Sequence, residues 1–520
     1  MKNIKIVAVI ACASLLFASC DKYLDTLPDN RAELNTPEKI TSLLVSAYPS
    51  ISSFMLEEMS SDNATDNGVK NSVESKVQEE AYRWENVYTD DNDGVKDLWD
   101  SYYGAISSAN HALQAIEDLG DGDEFTAQKG EALICRAFAH FKLSTIFCLP
   151  YNPETADVDL GVPYATKPET QVNPKYERGT LKQLYDNIEA DIVAGLPLID
   201  DNLYTVPKYH FNRKAAYAFA ARFYLYKGDL DNCIKCANEV LGSNPKAVLK
   251  DWASIGGAAS NWDVRVDMYI SAADAGNLLM TTAYSSWGYW GGPYLIGERY
   301  GHSYDITMNE TVRAQGLWGS ATYYWPARNM WGLNPQKLCI AKIGGYFQYT
   351  DKVQQIGYRM NVNVQFSTDE TLLCRAEAYA RKNEFDKAVE DINSWMYTHT
   401  TNKKQVKLTD IVNFYSKIKY TPLDINKPAD RTVKKELHPV GFSISAGDQE
   451  NLIQCILHIR RCETIHEGLR WMDIKRYGIE ISHPRDKEDT DYLLVDDPRR
   501  AIQLPDDVIQ AGLVANPRNF

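Results

Sequence analysis

The sequence ARFYLYKGDLDNCIKCA, residues 221–237, has a related second copy in AEAYARKNEFDKAVEDI, residues 376–392. Each copy contains a helical pattern with small residues, a tight turn and a second helical pattern. Such a repeat predicts pairs of antiparallel helices that stack beside one another. The matched positions are Tyr224 and Tyr379, Gly228 and Asn383, Leu230 and Phe385, and Cys233 and Ala388.

The composition of these repeats resembles that of tetratricopeptide units, which carry small residues in both helices, a tyrosine and a tight turn. Units of this kind bury their apolar faces only against neighbouring units. The helical patterns between Leu98 and Phe147, which are separated by Gly120, predict a further helical hairpin in the same array. The predicted fold is therefore all-α, with a scaffold of tetratricopeptide-like helix pairs.

A loop-rich, aromatic-rich insertion, Asp251 to Gln365, separates the two repeat units. Its aromatic residues follow no regular period, and glycines and prolines lie between them. Large rings on irregular backbone suit a surface that stacks against flat ligand faces. The alternative is that most of them cap a loop-rich core, because a fully exposed tryptophan is unusual. The rings are Trp287, Tyr289, Trp290, Tyr294, Trp318, Tyr323, Tyr324, Trp325 and Trp331.

The N-terminal segment predicts export and lipid attachment. Two lysines precede an apolar run, Ile6–Phe17, that is too short to span a bilayer. The following residues, FASC at 17–20, resemble the lipobox of bacterial lipoproteins, with phenylalanine where leucine is more usual. That resemblance implies cleavage before Cys20 and acylation of this cysteine, so that the chain is anchored to a membrane. An ordinary secretory signal that is cut elsewhere is the alternative.

Composition and motifs favour a binding protein over an enzyme. The chain has 55 Lys and Arg against 70 Asp and Glu, and its net charge of −15 argues against a nucleic-acid partner. The sequence contains no P-loop and no G-x-S-x-G nucleophile elbow, and Arg470 replaces the second histidine that a zinc-protease helix needs after His466-Glu467. We predict no catalytic residue, cofactor or metal. A glycosidase needs only two carboxylates, and candidates for such a pair are Asp62, Glu298 and Asp351.

Several stretches together resemble the SusD/RagB family of outer-membrane nutrient-binding lipoproteins. They span nearly the whole predicted mature chain in the family's order, and the charged run 460–476 is the most specific of them. This run departs from the usual family residues at Cys462 and Thr464. The stretches are Cys20–Asp25 with Pro28; Gly130–Leu143; Gly161-Val162-Pro163 with Arg178; Arg460–Arg476; and Leu504-Pro505 with Asn516-Pro517.

The resemblance implies an all-helical fold with four tetratricopeptide-like helix pairs. It also implies a location on the outer face of the outer membrane and a partner, a SusC-like TonB-dependent transporter. The protein would cover that transporter's barrel as a lid and deliver oligosaccharide into it. Family members of this kind are not enzymes, and the charged helix is then a structural ion network. The rivals are a RagB-like peptide-binding lipoprotein and, from another class, a surface glycosidase.

The resemblance places the ligand face on the loop after the first helix, here Ser60–Asp93, and on the insertion between the repeats, here Asp251–Gln365. Within these regions we predict that tryptophans stack on sugar faces and that polar side chains bind sugar hydroxyls. The predicted stacking residues are Trp84, Trp287, Trp290, Trp325 and Trp331, and the predicted hydrogen-bonding residues are Asp62, Asn63, Arg328 and Asn329.

We thus predict five segments along the chain. They are a signal peptide at 1–19, a lipid anchor and tether at 20–35, an N-terminal helical scaffold at 36–250 with a binding loop at 60–93, the aromatic-rich insertion at 251–365, and a C-terminal helical scaffold with the SusD-like C-terminal region at 366–520.

Overall fold

A computed structural model of the protein describes residues 34–73, 75–169, 175–292, 298–332 and 337–518. The predicted signal segment and Cys20 lie outside these residues, and so does Tyr294. No helix within these ranges combines the length and the apolar character that a membrane crossing needs.

Helices dominate the described chain, and most of the strands lie between the two repeat units. The helices are α1 (Pro37–Leu44), α2 (Phe54–Ser60), α3 (Lys76–Tyr82), α4 (Val95–Asp118), α5 (Thr126–Phe147), α6 (Leu181–Gly195), α7 (Arg213–Lys227), α8 (Leu230–Leu241), α9 (Trp252–Gly257), α10 (Trp262–Tyr269), α11 (Trp287–Trp290), α12 (Tyr304–Asn309), α13 (Thr368–Arg381), α14 (Phe385–His399), α15 (Leu408–Tyr415), α16 (Asp448–Glu463), α17 (Leu469–Arg476) and α18 (Asp506–Gln510). The strands are β1 (Thr65–Asp66), β2 (Asn277–Tyr284), β3 (Tyr300–Gly301), β4 (Met330–Gly332), β5 (Leu338–Ile340), β6 (Tyr346–Asp351), β7 (Ile356–Ser367), β8 (Ile481–His483) and β9 (Asp491–Leu493).

Each repeat copy folds as a helix pair. Helix α7 leads to α8 through Gly228, whose φ is +89°, and α13 leads to α14 through Asn383, whose φ is +61°. Glycine and asparagine tolerate this left-handed conformation better than other residues, which explains why these two positions match in the repeat. Helix α8 packs directly against α13. The two units are therefore neighbours in space, although the insertion separates them in sequence.

The predicted hairpin between Leu98 and Phe147 forms α4 and α5, and α6 packs against the other side of α5. A capping box of Thr180 and Gln183 begins α6. Arg136 on α5 donates to both carboxylate oxygens of Asp191 on α6, at 2.7 and 2.8 Å. The predicted fold class, an all-α scaffold of tetratricopeptide-like helix pairs, is confirmed.

The charged run 460–476 lies on α16 and α17 and forms a buried ion network. Arg460 donates to Asp473 at 3.2 Å, and Arg461 donates to Glu310 at 2.7 Å. All four side chains are buried. Removing one partner of a buried pair typically costs about 3–5 kcal/mol, because the other charge is left without compensation. These residues thus stabilise the fold, as the family resemblance implied.

The insertion contains more regular structure than its sequence suggested. Strands β2, β7 and β6 form an antiparallel sheet in that order, and β7 runs directly into α13. Strand β2 is almost wholly buried, whereas β6 and the first residues of β7 are exposed. A hairpin of these two strands therefore extends into solvent. The division of the chain at residues 250 and 365 stays a prediction.

Candidate functional site

Trp325 and Arg328 form an exposed pair on a short 3-10 helix, Trp325–Asn329, in the insertion. The Arg328 guanidinium carbon lies 4.3 Å from the centre of the Trp325 ring, a cation–π arrangement that fixes the orientation of both side chains. Gly256 of α9 allows this packing, because a Cβ at that position would lie only 3.0–3.1 Å from Trp325 atoms. Trp325 is half-buried and Arg328 is exposed, so both can reach a ligand.

Trp331 is also half-buried, on strand β4. Its ring meets Trp262 of α10 edge to face, with ring centres 6.1 Å apart and an interplanar angle of 87°. Together with Val266, Cys339 and Ala341, Trp262 forms a small apolar cluster beneath it. One part of the Trp331 indole is thus held by the protein while the rest faces solvent.

Trp287 and Trp290 do not belong to an exposed platform, because both indoles are buried. The Trp287 Nε1–H donates to the carbonyl oxygen of His466 at 3.0 Å. The carbonyl oxygen of Trp290 accepts a hydrogen bond from the buried Lys337 ammonium. Burial of an indole removes a large apolar area from water and stabilises the insertion. These two residues therefore support the surface from below, and the prediction of stacking is corrected for them.

Asp62 and Asn63 are likewise buried, and they bind arginines of the charged run. Arg470 donates to both Asp62 carboxylate oxygens at 2.8 and 2.9 Å, and Arg461 donates to the Asn63 side-chain oxygen at 2.9 Å. Burial opposes ionisation of Asp62, but the charges of Arg461 and Arg470 outweigh it and hold its pKa well below the usual range. Both residues are committed to the ion network, so their predicted contacts with sugar hydroxyls are corrected.

Asn329 and Trp84 are buried too. The Asn329 side-chain amide donates to the carbonyl oxygen of Ala341 at 3.0 Å. The Trp84 Nε1–H donates to the Ser60 carbonyl oxygen at 2.8 Å, and its ring stacks on His483 with centres 4.1 Å apart. Neither side chain offers a free face to a sugar, which corrects both predictions. Trp84 still lines one wall of a 980 Å³ cleft.

The exposed aromatic side chains of the insertion are concentrated on the β6–β7 hairpin. We call this group the hairpin aromatics. Cross-strand partners lie on the same face of a sheet, and alternate residues lie on opposite faces. Exposed rings therefore occur on both faces of the hairpin. The hairpin aromatics are Tyr346, Phe347, Tyr349 and Tyr358, whose residues are 36%, 38%, 48% and 52% exposed.

One face of the hairpin combines tyrosine rings with polar groups. Tyr358 packs edge to face with Tyr284 at 5.4 Å, and Gln348 lies opposite Tyr358 in the strand register. The Tyr346 hydroxyl donates to a carboxylate oxygen of Asp267 on α10 at 3.0 Å. Flat rings beside hydroxyl, amide and carboxylate groups match the alternating apolar and polar faces of a sugar.

The other face of the hairpin carries Phe347, Tyr349 and Arg359. Phe347 and Tyr349 lie 4.8 Å apart between ring centres. The Phe347 ring covers Gly357, where a Cβ would approach it to 2.7 Å. The guanidinium of Arg359 lies 4.8 Å from the ring centre of Tyr289. The polar groups of this face are the Arg359 guanidinium and the Tyr349 hydroxyl.

Helix α10 connects these parts into one region. Its Asp267 binds Tyr346, its Trp262 contacts Trp331, and its Arg265 donates to the carbonyl oxygen of Arg328. We call the resulting set the insertion surface. It consists of Trp325, Arg328, Trp331, Tyr346 and Tyr358. Three of them contact α10 directly, Trp325 packs on Arg328, and Tyr358 lies on the same face of the hairpin as Tyr346.

The hairpin aromatics are not among the predicted stacking residues, because they lie beyond the tryptophan-rich stretch that ends at Trp331. A signal was present: apolar and aromatic residues flank the polar segment DKVQQ at 351–355 on both sides. Two short β-prone runs around a polar turn predict a hairpin. The exposure of its rings could not be read from this pattern, since alternation shows two faces but does not tell whether either is covered.

Comparison with known proteins finds similarity to SusD-like proteins. Residues 22–225 match a SusD-like family model that is described as starch-binding and associating with the outer membrane. A SusD superfamily protein from Bacteroides thetaiotaomicron has 18% identity and a TM-score of 0.62, with 93% of this chain and 100% of that chain covered. A SusD superfamily protein from Bacteroides vulgatus has 18% identity and a TM-score of 0.63, with 93% and 99% covered. No curated protein matches the chain.

A third solved structure, a SusD-like carbohydrate binding protein from Bacteroides vulgatus, has 13% identity and a TM-score of 0.62, with 92% of this chain and 96% of that chain covered. The protein thus has the fold of the SusD-like proteins over nearly its whole length. With the family match in its N-terminal part, the predicted resemblance to the SusD/RagB family is confirmed.

Proposed function

We propose that the protein is a cell-surface glycan-binding lipoprotein that captures oligosaccharides and passes them to a SusC-like TonB-dependent transporter. The observation that carries this proposal is the insertion surface, where half-buried and exposed rings stand beside polar side chains. The starch-binding description of the matching family supports a glycan as the ligand. Structural relatives include a SusD-like carbohydrate binding protein.

Capture would occur by stacking of sugar rings on Tyr346, Tyr358, Trp325 and Trp331. Aromatic contacts contribute about 0.5–1.5 kcal/mol each beyond the area they bury. A few such contacts, with hydrogen bonds that Arg328 donates and Asp267 accepts, give dissociation constants in the millimolar to micromolar range. Weak binding suits a carrier, because the ligand has to leave again for the transporter.

Anchoring would come from acylated Cys20, which lies outside the described residues. The association of the matching family with the outer membrane supports this location. With the lipid in the outer leaflet, the protein would face the outside and cover a SusC-like barrel as a lid. In this proposal it performs no catalysis, so incubation of purified protein with glycans releases no reducing sugar.

The direct test is retention of the full chain on affinity gels that contain single polysaccharides. We expect at least one glycan to retard the unmodified protein, and the double variant Tyr346→Ala/Tyr358→Ala to bind about tenfold more weakly. Tyr397→Ala is the matched control, since this tyrosine on α14 is 41% exposed but lies on the helical scaffold. Retention of the double variant equal to that of the control would contradict the proposed surface.

One observation favours the peptide-binding alternative. Strand β6 is the outer strand of its sheet among the described strands, and an extended peptide can add to a sheet at its outer strand. Titration of the protein with glycan and peptide pools distinguishes the two ligands. Peptide binding without glycan binding would replace the proposed function and leave the fold assignment unchanged.

A further inference from the structure

Three side chains of metal-ligand type meet where α13 begins and α14 and α16 end. Asp369 lies in the first turn of α13, His399 is the last residue of α14, and Glu463 is the last residue of α16. The nitrogen or oxygen atom that each could offer to a metal ion lies within 4.8 Å of the other two. His399 Nε2 is 2.9 Å from Glu463 Oε2 and 3.4 Å from Asp369 Oδ1. The exposed fractions of Asp369 and His399 are 0% and that of Glu463 is 3%.

Two of these potential metal-ligand atoms have no hydrogen-bond partner among the described residues. They are Asp369 Oδ1 and His399 Nε2, and both are buried. The carboxylate oxygens near the ring nitrogen therefore do not lie along a favourable N–H direction, although they are close. Buried polar atoms without partners are rare and call for an explanation, such as an ion.

The tautomer of His399 suits a metal ligand. Its Nδ1 lies 2.9 Å from both the carbonyl oxygen of Trp395 and the hydroxyl of Thr398. The carbonyl can only accept, and the Thr398 hydroxyl donates to that same carbonyl at 3.1 Å, so we assign the proton to Nδ1. In neutral imidazole the lone pair is then on Nε2, the nitrogen that lies 2.9 and 3.4 Å from the two carboxylates, with their oxygens beside its axis. A histidine that donates its other ring N–H to a backbone carbonyl is the usual arrangement around a bound metal ion.

The two carboxylates are also held in place by hydrogen bonds from neighbouring residues. The Trp395 indole N–H donates to Glu463 Oε2 at 3.1 Å, and the Lys250 backbone N–H donates to Asp369 Oδ2 at 3.1 Å. The Trp395 ring also stacks on the imidazole of His399, with centres 4.3 Å apart. Because the Lys250 N–H binds Oδ2 of Asp369, the other carboxylate oxygen, Oδ1, is the one that lies near His399 Nε2.

Two buried lysines lie near the cluster, but their ammonium groups are bound elsewhere. Lys342 donates to the backbone carbonyl of Glu463 and lies 3.6 Å from Glu467. Lys250 donates to the Tyr269 carbonyl and to Asn277 at 3.1 and 2.6 Å. Among the ion pairs of the described residues, neither ammonium lies within 4.0 Å of the Asp369 or Glu463 carboxylate.

We propose that Asp369, His399 and Glu463 bind a divalent transition-metal ion, zinc by their ligand chemistry, with a structural role. One imidazole nitrogen and two carboxylate oxygens form a zinc ligand set, with bonds of about 2.0–2.2 Å. The ligand atoms of one such ion are roughly 3–4 Å apart. The two measured distances, 2.9 Å from His399 Nε2 to Glu463 Oε2 and 3.4 Å from His399 Nε2 to Asp369 Oδ1, are close to this range. The ion would join the ends of α14 and α16 to the start of α13, into which β7 of the insertion runs.

The experiment measures zinc by mass spectrometry in the full chain, purified without a polyhistidine tag and dialysed. We expect about one zinc per chain, and its loss in His399→Gln and in Asp369→Asn. His140→Gln is the matched control, because His140 is buried and both of its ring nitrogens are already bonded, to the Arg136 carbonyl at 2.9 Å and the Ala165 N–H at 3.1 Å. Zinc retained by the His399 and Asp369 variants would overturn the proposal.

A second measurement uses the unmodified protein, in case the variants do not fold. We expect a chelator to lower the midpoint of thermal unfolding, on the order of 5 °C, and added zinc to restore it. Absence of zinc, together with a midpoint that responds neither to chelator nor to zinc, would overturn the proposal. Both readouts are independent of glycan binding.

Discussion

The Arg476 guanidinium donates to both carboxylate oxygens of Glu377, at 2.6 and 3.0 Å. Glu377 belongs to the second repeat copy on α13, and Arg476 ends the charged run on α17. Both side chains are buried. The two sequence features that identified the fold are therefore in direct contact, and this pair joins the repeat scaffold to the C-terminal region.

Replacement of Glu377 by glutamine should destabilise the protein by about 3 kcal/mol, since a buried guanidinium loses one of its charged partners. Denaturant unfolding of the variant and the unmodified protein measures the difference. Lys382→Ala is the control, because its pair with Asp231 is largely exposed and should change stability little. An equal effect of both substitutions would contradict the special role of the buried pair.

Asp93 should make stability depend on pH. Burial raises its pKa to about 7, and hydrogen bonds from Ser285 and Ser286 only partly offset this. The unfolded chain titrates this group near 3.8. Between these values the folded state binds more protons than the unfolded state, so the free energy of unfolding falls as pH rises from about 4 to about 7. Chemical denaturation across this range measures the slope.

Asp93→Asn should remove this part of the pH dependence, because the amide does not titrate. Asp90→Asn, in the same segment, is a control that should leave the slope unchanged. An unaltered slope in the Asp93 variant would show that other groups cause the pH dependence.

Buried and exposed tryptophans of the insertion should respond differently to alanine. Trp287→Ala should cost about 3–5 kcal/mol of stability, as is usual for a large buried ring. Trp325→Ala should cost less stability and should weaken glycan retention, since its ring is half-buried and forms part of the insertion surface. Thermal unfolding and affinity gels on the same samples separate the two effects. Loss of retention in a fully folded Trp287 variant would contradict the structural role given to it.

Replacement of Cys20 by serine should release the protein from the membrane fraction, because the acylated sulfur and amino group are lost. Detergent phase partitioning of cell extracts measures this change. Cys12→Ser is the matched control, since Cys12 lies within the apolar run of the signal segment and should not be acylated. A Cys20 variant that still partitions with the detergent would favour an ordinary secretory signal or another anchor.

The sequence by itself determined the helical pairs, because their causes are local. Turns at Gly228 and Asn383 and a helical period of small residues are encoded within a few dozen positions. The charged run 460–476 also identified the family resemblance, and it forms the expected ion network.

Only the tertiary structure decided which aromatic rings face water. Trp287 is buried because its indole meets the His466 carbonyl far along the chain, whereas Tyr358 is exposed because the hairpin extends beyond its neighbours. Irregular backbone has no period from which burial can be read, so each ring depends on distant partners. Asp62 is a second example. The fold brings Arg470 against its carboxylate, so that this residue forms a buried ion pair and not the predicted contact with a sugar.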